Sequence, residues 1–202
     1  MITLIDNYDS FTYNLYHYLS SREKVVIIKN DQVSKNFNTI IKSKGIVISP
    51  GPSTPFNSGE CLSLVHKIYS FMPILGVCLG HQILGVYFGA RIKTLKNPMH
   101  GKVSEIITQN KFKLYENLNS SFMATRYHSL YLDSKNFPNN LLISAKSNDD
   151  NIIMSFRHKD FPIYGLQYHP ESIETKVGNT ILDNFLNILW ISTSILTLIQ
   201  KI

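Results

Sequence analysis

Two segments of this 202-residue chain combine side chains that could carry out covalent chemistry. Cys78 stands in Gly76-Val77-Cys78-Leu79-Gly80, between a short apolar run and a helix-compatible stretch. Small residues two before and two after permit a sharp strand-to-helix turn that lifts the side chain clear of a sheet, as in G-x-S-x-G hydrolases. A thiol at a helix N-terminus also faces partial positive charge, which favours the thiolate. A thiolate nucleophile needs a base and an orienter. His169 and Glu171 supply both types in Tyr168-His169-Pro170-Glu171. On an extended chain residues i and i+2 face the same way, so the carboxylate can hold the imidazole. Pro170 keeps the segment out of a helix.

Acyl transfer also requires donors for an oxyanion. Leu79, at the start of the expected helix, offers one backbone N–H. Gly51 offers the second, since it alone has an N–H in Pro50-Gly51-Pro52. The remaining candidates read more plainly. Cys61 begins a helical stretch and is expected to be a small core residue. His17 and His66 lie in helical patterns, and His158 follows an edge-like strand. His81 and His128 are expected to be local structural supports. None of these histidines has the close paired spacing of zinc ligands, so no metal is expected.

The elements that must position these residues are legible as two periodicities. Ile2–Ile5, Val25–Lys29, Ile46–Ser49 and Ile74–Val77 are apolar runs suited to strands buried on both faces. Helix-compatible stretches lie between them, at about Ser10–Ser21, Ser34–Ser43, Gly59–Phe71 and Leu79–Phe88. Such alternation implies βαβ crossovers and a mostly parallel sheet. From residue 91 the runs Lys102–Thr108, Phe122–Tyr127, Leu141–Ser147, Ile152–Arg157 and Ile163–Tyr168 follow one another with little helix between them. They read as additional, antiparallel strands. Gly178 onward returns to helical spacing, with Ile181, Leu182, Phe185, Leu186 and Leu189 on one stripe. The expectation is one α/β domain of three layers, α/β/α, with a mostly parallel central sheet. Three unusual segments, Ser49–Pro52, Gly76–His81 and Gln167–Glu171, fall at strand carboxyl ends, where open α/β sheets bind ligands.

Composition narrows the class. Hydrophobic residues make up 44% and charged residues 17%, which excludes intrinsic disorder. The net charge of +6 is spread thinly, with no run of three basic residues and no nucleic-acid-binding motif. The lysine, isoleucine and asparagine bias fits an AT-rich genome such as that of a plastid or an endosymbiont. Two cysteines fit a reducing compartment. The N-terminus has neither signal-peptide nor transit-peptide form, so cytoplasm or plastid stroma is expected. The stretch Phe185–Gln200 carries no charge but contains Asn187 and four hydroxyl residues, which suits a packed helix better than a membrane span.

Six ordered motifs together resemble the class I, triad-type glutamine amidotransferases. They are Asp6–Thr12 (DNYDSFT), Ser49–Pro52 (SPGP), Gly76–Gln82 (GVCLGHQ), Met99–Lys102 (MHGK), Arg126–Leu130 (RYHSL) and Gln167–Ser172 (QYHPES). Within that class the first, fourth and fifth look like the glutaminase subunits of anthranilate synthase or aminodeoxychorismate synthase. The resemblance covers residues 1–189 as one flavodoxin-like glutamine amidotransferase domain. It leaves 190–202 as a hydrophobic helical extension. It implies attack of Cys78 on the side-chain amide of glutamine, proton transfer by His169 and orientation of His169 by Glu171. It also implies an oxyanion hole at the backbones of Gly51 and Leu79. Glutamine would be held around Gly51, Pro52 and Ser53, by Gln82, and at Ser129 and Leu130. Ser53 stands where the family motif often has glycine. No cofactor is implied for this chain, while a chorismate-using partner synthase with a Mg2+ requirement is. The 202 residues leave no room for that synthase. Anthranilate formation, in tryptophan biosynthesis, is the main reading; the folate-branch partner, or one subunit serving both, is the alternative.

Three other classes fit less well. In a thiol hydrolase of the α/β-hydrolase type the acid precedes the histidine by a long stretch, whereas Glu171 follows His169. A regulatory subunit without catalysis would be expected to lack Cys78, His169 or Glu171. A membrane-attached form would depend on the tail alone.

Overall fold

Apolar side chains at successive strand positions point to opposite faces and need cover on both. The computed structural model, which describes residues 1–109 and 112–199 (side chains to 189), shows how that cover is supplied. In chain order its elements are β1 (Ile2–Asp6), α1 (Phe11–Ser20), β2 (Val25–Lys29), α2 (Phe37–Ile40), β3 (Ile46–Ile48), α3 (Cys61–Ile68), β4 (Ile74–Val77) and α4 (Leu79–Tyr87). Then follow β5 (Ile92–Thr94), β6 (Lys102–Thr108), β7 (Ser121–Arg126), β8 (Leu130–Leu132), β9 (Leu141–Ser147), β10 (Ile153–His158), β11 (Ile163–Leu166) and α5 (Gly178–Ile199).

Ile2 and Leu4 of β1, Val47 of β3, and Leu75 and Val77 of β4 enter one apolar cluster, which Leu15 and Leu19 of α1 and Ile181, Leu182 and Phe185 of α5 close. The intervening residues, Ile5, Ile46, Ile48 and Ile74, enter a second cluster. There they meet Ile40 of α2, Leu64, Val65 and Ile68 of α3, and Ile83 and Leu84 of α4. Helices therefore cover both faces, and the three layers follow.

The main sheet runs β2-β1-β3-β4-β11-β10-β9-β6-β7. β2, β1, β3, β4 and β11 pair in parallel. The run Ile163–Tyr168, expected with the antiparallel strands, thus joins the parallel set through β4 and is antiparallel only to β10, because the chain crosses back to the centre of the sheet. β10, β9, β6 and β7 extend the sheet antiparallel. Because β3, β4 and β11 are adjacent and parallel, their carboxyl ends lie along one edge. Ser49–Pro52, Gly76–His81 and Gln167–Glu171 all leave the sheet there.

Several boundaries differ from the sequence reading. α2 is one turn, from Phe37 to Ile40, because residues 34–36 and 41–44 are taken up in turns. β11 ends at Leu166, two residues early, since Gln167 and Tyr168 bend into the site. β10 lies between β9 and β11, so His158 ends an interior strand and is buried, contrary to the edge-like placement. β5 and β8 form a separate two-stranded antiparallel sheet that periodicity did not suggest. Strands of three residues are too short to show a period. The stripe Ile181, Leu182, Phe185, Leu186 and Leu189 is buried. The α5 backbone continues unbroken past 189, while the side chains of 190–199 and all of residues 200–202, where the C-terminal extension was expected, lie outside the described set. Among the described residues no helix is long and apolar enough to cross a membrane.

Candidate active site

Cys78 is the single residue between β4 and α4, and it adopts φ +51°, ψ −99°. For a residue with a side chain that conformation costs about 1–3 kcal/mol and persists only when the surroundings over-determine it. They do so here from both directions. Cys78 N–H donates to the Leu166 carbonyl of β11 at 2.7 Å, and the Cys78 carbonyl accepts from Gln82 N–H at 3.1 Å, opening the helix. The flanking glycines are sterically required. A Cβ on Gly76 would meet the Gly80 carbonyl, and one on Gly80 would meet the Ile48 carbonyl, both well under 3.0 Å.

His169 comes from the chain beyond β11. Its N–H donates to Thr125 O at 3.0 Å, making a one-residue bridge to β7. Its own carbonyl accepts from Thr175 Oγ1 at 2.8 Å. Glu171 Oε1 lies 2.7 Å from His169 Nδ1, and the Glu171 side chain is fully buried. The two meet through a turn at Pro170–Glu171, closed by Ser172 N–H to His169 O at 3.3 Å, and not along an extended chain as the i, i+2 spacing suggested. A carboxylate on Nδ1 fixes the proton there and leaves Nε2 as the reactive nitrogen. Burial opposes charge on this ring, but Glu171 and the Cys78 sulfur outweigh it and hold the His169 pKa well above the ordinary imidazole value. Phe11 and Tyr127 flank the ring edge-on, with centroids at 5.0 and 5.2 Å.

A cleft of about 510 Å³ opens beside the sulfur. Gly51, Pro52, Ser53, Cys78, Leu79, Gln82, Ser129 and Leu130 all line it. His169 and Glu171 are buried outside that lining. Thr54, Tyr127 and His128 line it as well. In the sequence Tyr127 stands out only as part of RYHSL and Phe11 only as part of the N-terminal motif, whereas His128 is expected to be a local structural support. The side-chain types of Tyr127 and Phe11 alone give no signal for a role at the site.

The N-terminal motif braces the Pro50–Pro52 loop from the neighbouring strand end. Asn7 N–H donates to Ser49 Oγ at 3.0 Å and its Nδ2 to Ser49 O at 2.9 Å. Asn7 Oδ1 accepts from Asn30 Nδ2 at 3.0 Å and from the Cys61 thiol at 3.3 Å. Asp6 accepts from Tyr8 N–H, Thr12 Oγ1 and Lys29 Nζ, at 2.8, 3.0 and 2.5 Å. Burial opposes its charge, yet Lys29 and Thr12 hold its pKa below the usual carboxylate value. Burial pushes the Cys61 thiol up to about 12, which suits a core residue. His81 is likewise lowered by burial to about 3, and burial with Arg126 nearby lowers His128 to about 4, so both rings are neutral at pH 7.

The glutamine amidotransferase class-I family model matches residues 3–189. Anthranilate synthase component 2 of Azospirillum brasilense is 43% identical over 189 residues, covering 93% of this chain and 95% of that protein. The component 2 of Porphyra purpurea is 44% identical, covering 93% of this chain and 99% of that one. Among solved structures, a putative GMP synthase subunit from Thermoplasma acidophilum superposes with a TM-score of 0.85 at 26% identity, over 97% of this chain and 96% of that one.

Proposed function

Since the chain belongs to the class-I glutamine amidotransferases, we propose that it hydrolyses the side-chain amide of L-glutamine at Cys78. The ammonia passes to a separate chorismate-using synthase subunit, as the glutaminase component of an anthranilate synthase in tryptophan biosynthesis. The observation that carries the reading is the buried 2.7 Å His169–Glu171 pair behind a cysteine on a glycine-flanked turn.

In this mechanism His169 Nε2 takes the thiol proton, and Cys78 Sγ attacks the side-chain carbonyl carbon of glutamine. The backbone N–H groups of Gly51 and Leu79 stabilise the oxyanion. His169 then returns the proton to the departing nitrogen, which leaves as ammonia. Water, deprotonated by the same imidazole, hydrolyses the glutamyl thioester and frees the sulfur. Glu171 keeps the proton on Nδ1 and stabilises the imidazolium without accepting a proton itself. Pro52, Ser53, Gln82, Ser129 and Leu130 line the cleft in which glutamine sits. These steps need no metal from this chain; the Mg2+ requirement belongs to the synthase. The names of the two relatives support a two-component complex with an anthranilate-forming partner.

The test is reconstitution with an anthranilate-forming and with an aminodeoxychorismate-forming synthase subunit. Glutamine-dependent anthranilate formation with the first is the expected result. Glutamine-dependent product only with the second would move the chain to the folate branch, and no glutamine hydrolysis with either would overturn the reading.

A further inference from the structure

Gln167 follows β11, is fully buried, and takes no part in the steps above. Its Nε2 lies 3.8 Å from Cys78 Sγ, and its Oε1 lies 3.1 Å from Gln82 Nε2. Oxygen and nitrogen of an amide have nearly the same shape, so the neighbours' chemistry must decide which faces the sulfur.

Here they decide it completely. Arg126, a fully buried side chain paired with Asp150 at 2.8 Å, can only donate. Its Nε lies 3.1 Å from His128 Nε2, so that nitrogen accepts. The neutral His128 ring therefore carries its proton on Nδ1, 2.9 Å from the Leu130 carbonyl. A carbonyl can only accept, so Gln82, at 2.9 Å from the same oxygen, must present its nitrogen. That nitrogen also faces Gln167, which must answer with Oε1. The Gln167 N–H is left pointing at the sulfur.

We propose that Gln167 is a further catalytic residue, a buried amide donor to Cys78 Sγ that favours the thiolate. Gln82 orients it and is itself fixed by the Leu130 carbonyl, which His128 also contacts. The proposal rests on Cys78 being the nucleophile. Besides the His169 imidazole, the sulfur has polar neighbours of opposite kind: the Tyr127 carbonyl at 3.7 Å accepts from the thiol, and Gln167 donates to the thiolate. Hydrogen bonds to a charged acceptor are the stronger ones, so the donor acts when the proton has passed to His169 and again when the thioester breaks. Among the described residues the titratable groups around the sulfur are His169, backed by Glu171, His128, backed by Arg126 and Asp150, and Tyr127, whose ring lies against His169. His81 on α4 packs against Phe156.

The experiment follows alkylation of Cys78 by iodoacetamide in the full chain across a pH range, with the modified peptide identified by mass. It needs neither glutamine nor a partner. In Gln167→Met the rate near neutral pH is expected to fall about tenfold, and further in Gln167→Glu, converging with the wild-type rate as the pH rises. Gln82→Met, at the cleft wall, is expected to cause a smaller loss of the same form. Wild-type profiles in both Gln167 variants would overturn the proposal. If thermal melts show that neither folds, a wild-type profile in Gln82→Met would overturn it. The glutaminase reading fails separately: wild-type chain that does not hydrolyse glutamine with its partner would sink that reading and leave the alkylation result standing.

Discussion

Gly76 and Gly80 pack backbone against backbone across the Cys78 turn: a Cβ on the first would fall on the carbonyl of the second. The strand can reverse into α4 over a single residue because neither carries a side chain. Gly80 in turn lies against the Ile48 carbonyl of β3, so the turn is pressed onto the neighbouring strand. Gly80→Ala should destabilise the chain by about 1–3 kcal/mol, the usual cost of overpacking a rigid site. Denaturant unfolding measures this; an unchanged midpoint would show that the contact is not tight.

Cys78→Ser should abolish glutamine-dependent synthesis in the reconstituted complex while leaving synthesis from added ammonium intact. Ammonia bypasses the thiol step. Glutaminase activity surviving in the variant would remove Cys78 from the mechanism.

The two cysteines should separate by reactivity. An electrophilic glutamine analogue is expected to label Cys78, which lines the cleft, and to spare Cys61, which is buried with its thiol pushed up to about 12. Peptide mapping decides between them, and an adduct on Cys61 would contradict the assignment.

The 2.7 Å contact of His169 with Glu171 predicts non-additive losses. Glu171→Gln keeps the shape but offers a neutral partner, so turnover should fall with little change in glutamine affinity. His169→Ala should cost more, since proton transfer contributes about 10²–10⁴-fold. The double variant should resemble His169→Ala alone, because the two act as a unit. Losses that multiply would mean that they do not.

Stability should fall as the pH drops below about 6.5, where an unfolded imidazole titrates. His81 and His128 have folded values lowered to about 3 and about 4, so the unfolded chain takes up their protons first. Their contribution is present above the unfolded value and is lost as pH falls towards the folded one. His158, also lowered by burial, acts in the same direction. His169 is shifted upward and is protonated in both states below that pH, so it adds no slope there; its contribution is lost only as pH rises through its folded value. His81 and His128 should each contribute about 1.4 kcal/mol per pH unit between roughly pH 5 and 6. His81→Leu should flatten the dependence by one such increment, read from denaturant midpoints at several pH values.

Local demands are written in the order of residues along this chain. The strands of the parallel half are continuous apolar runs, because a strand buried on both faces has no polar side to show. The Cys78 turn is legible because its steric demands fall on residues two positions away. The pairing of His169 with Glu171 is legible for the same reason, although a turn joins them where spacing suggests an extended chain. Whatever depends on residues far apart was settled by folding. The three strand ends form one site only because β3, β4 and β11 are neighbours in the sheet. Residues 11 and 127 flank an imidazole at 169, and Arg126 is buried because Asp150, on the β9–β10 turn, reaches it. Gln167 meets a sulfur 89 positions earlier. Spacing along a chain carries no record of such contacts. They arise when burial of two apolar clusters brings the strands together and every polar group trapped between them must find a partner.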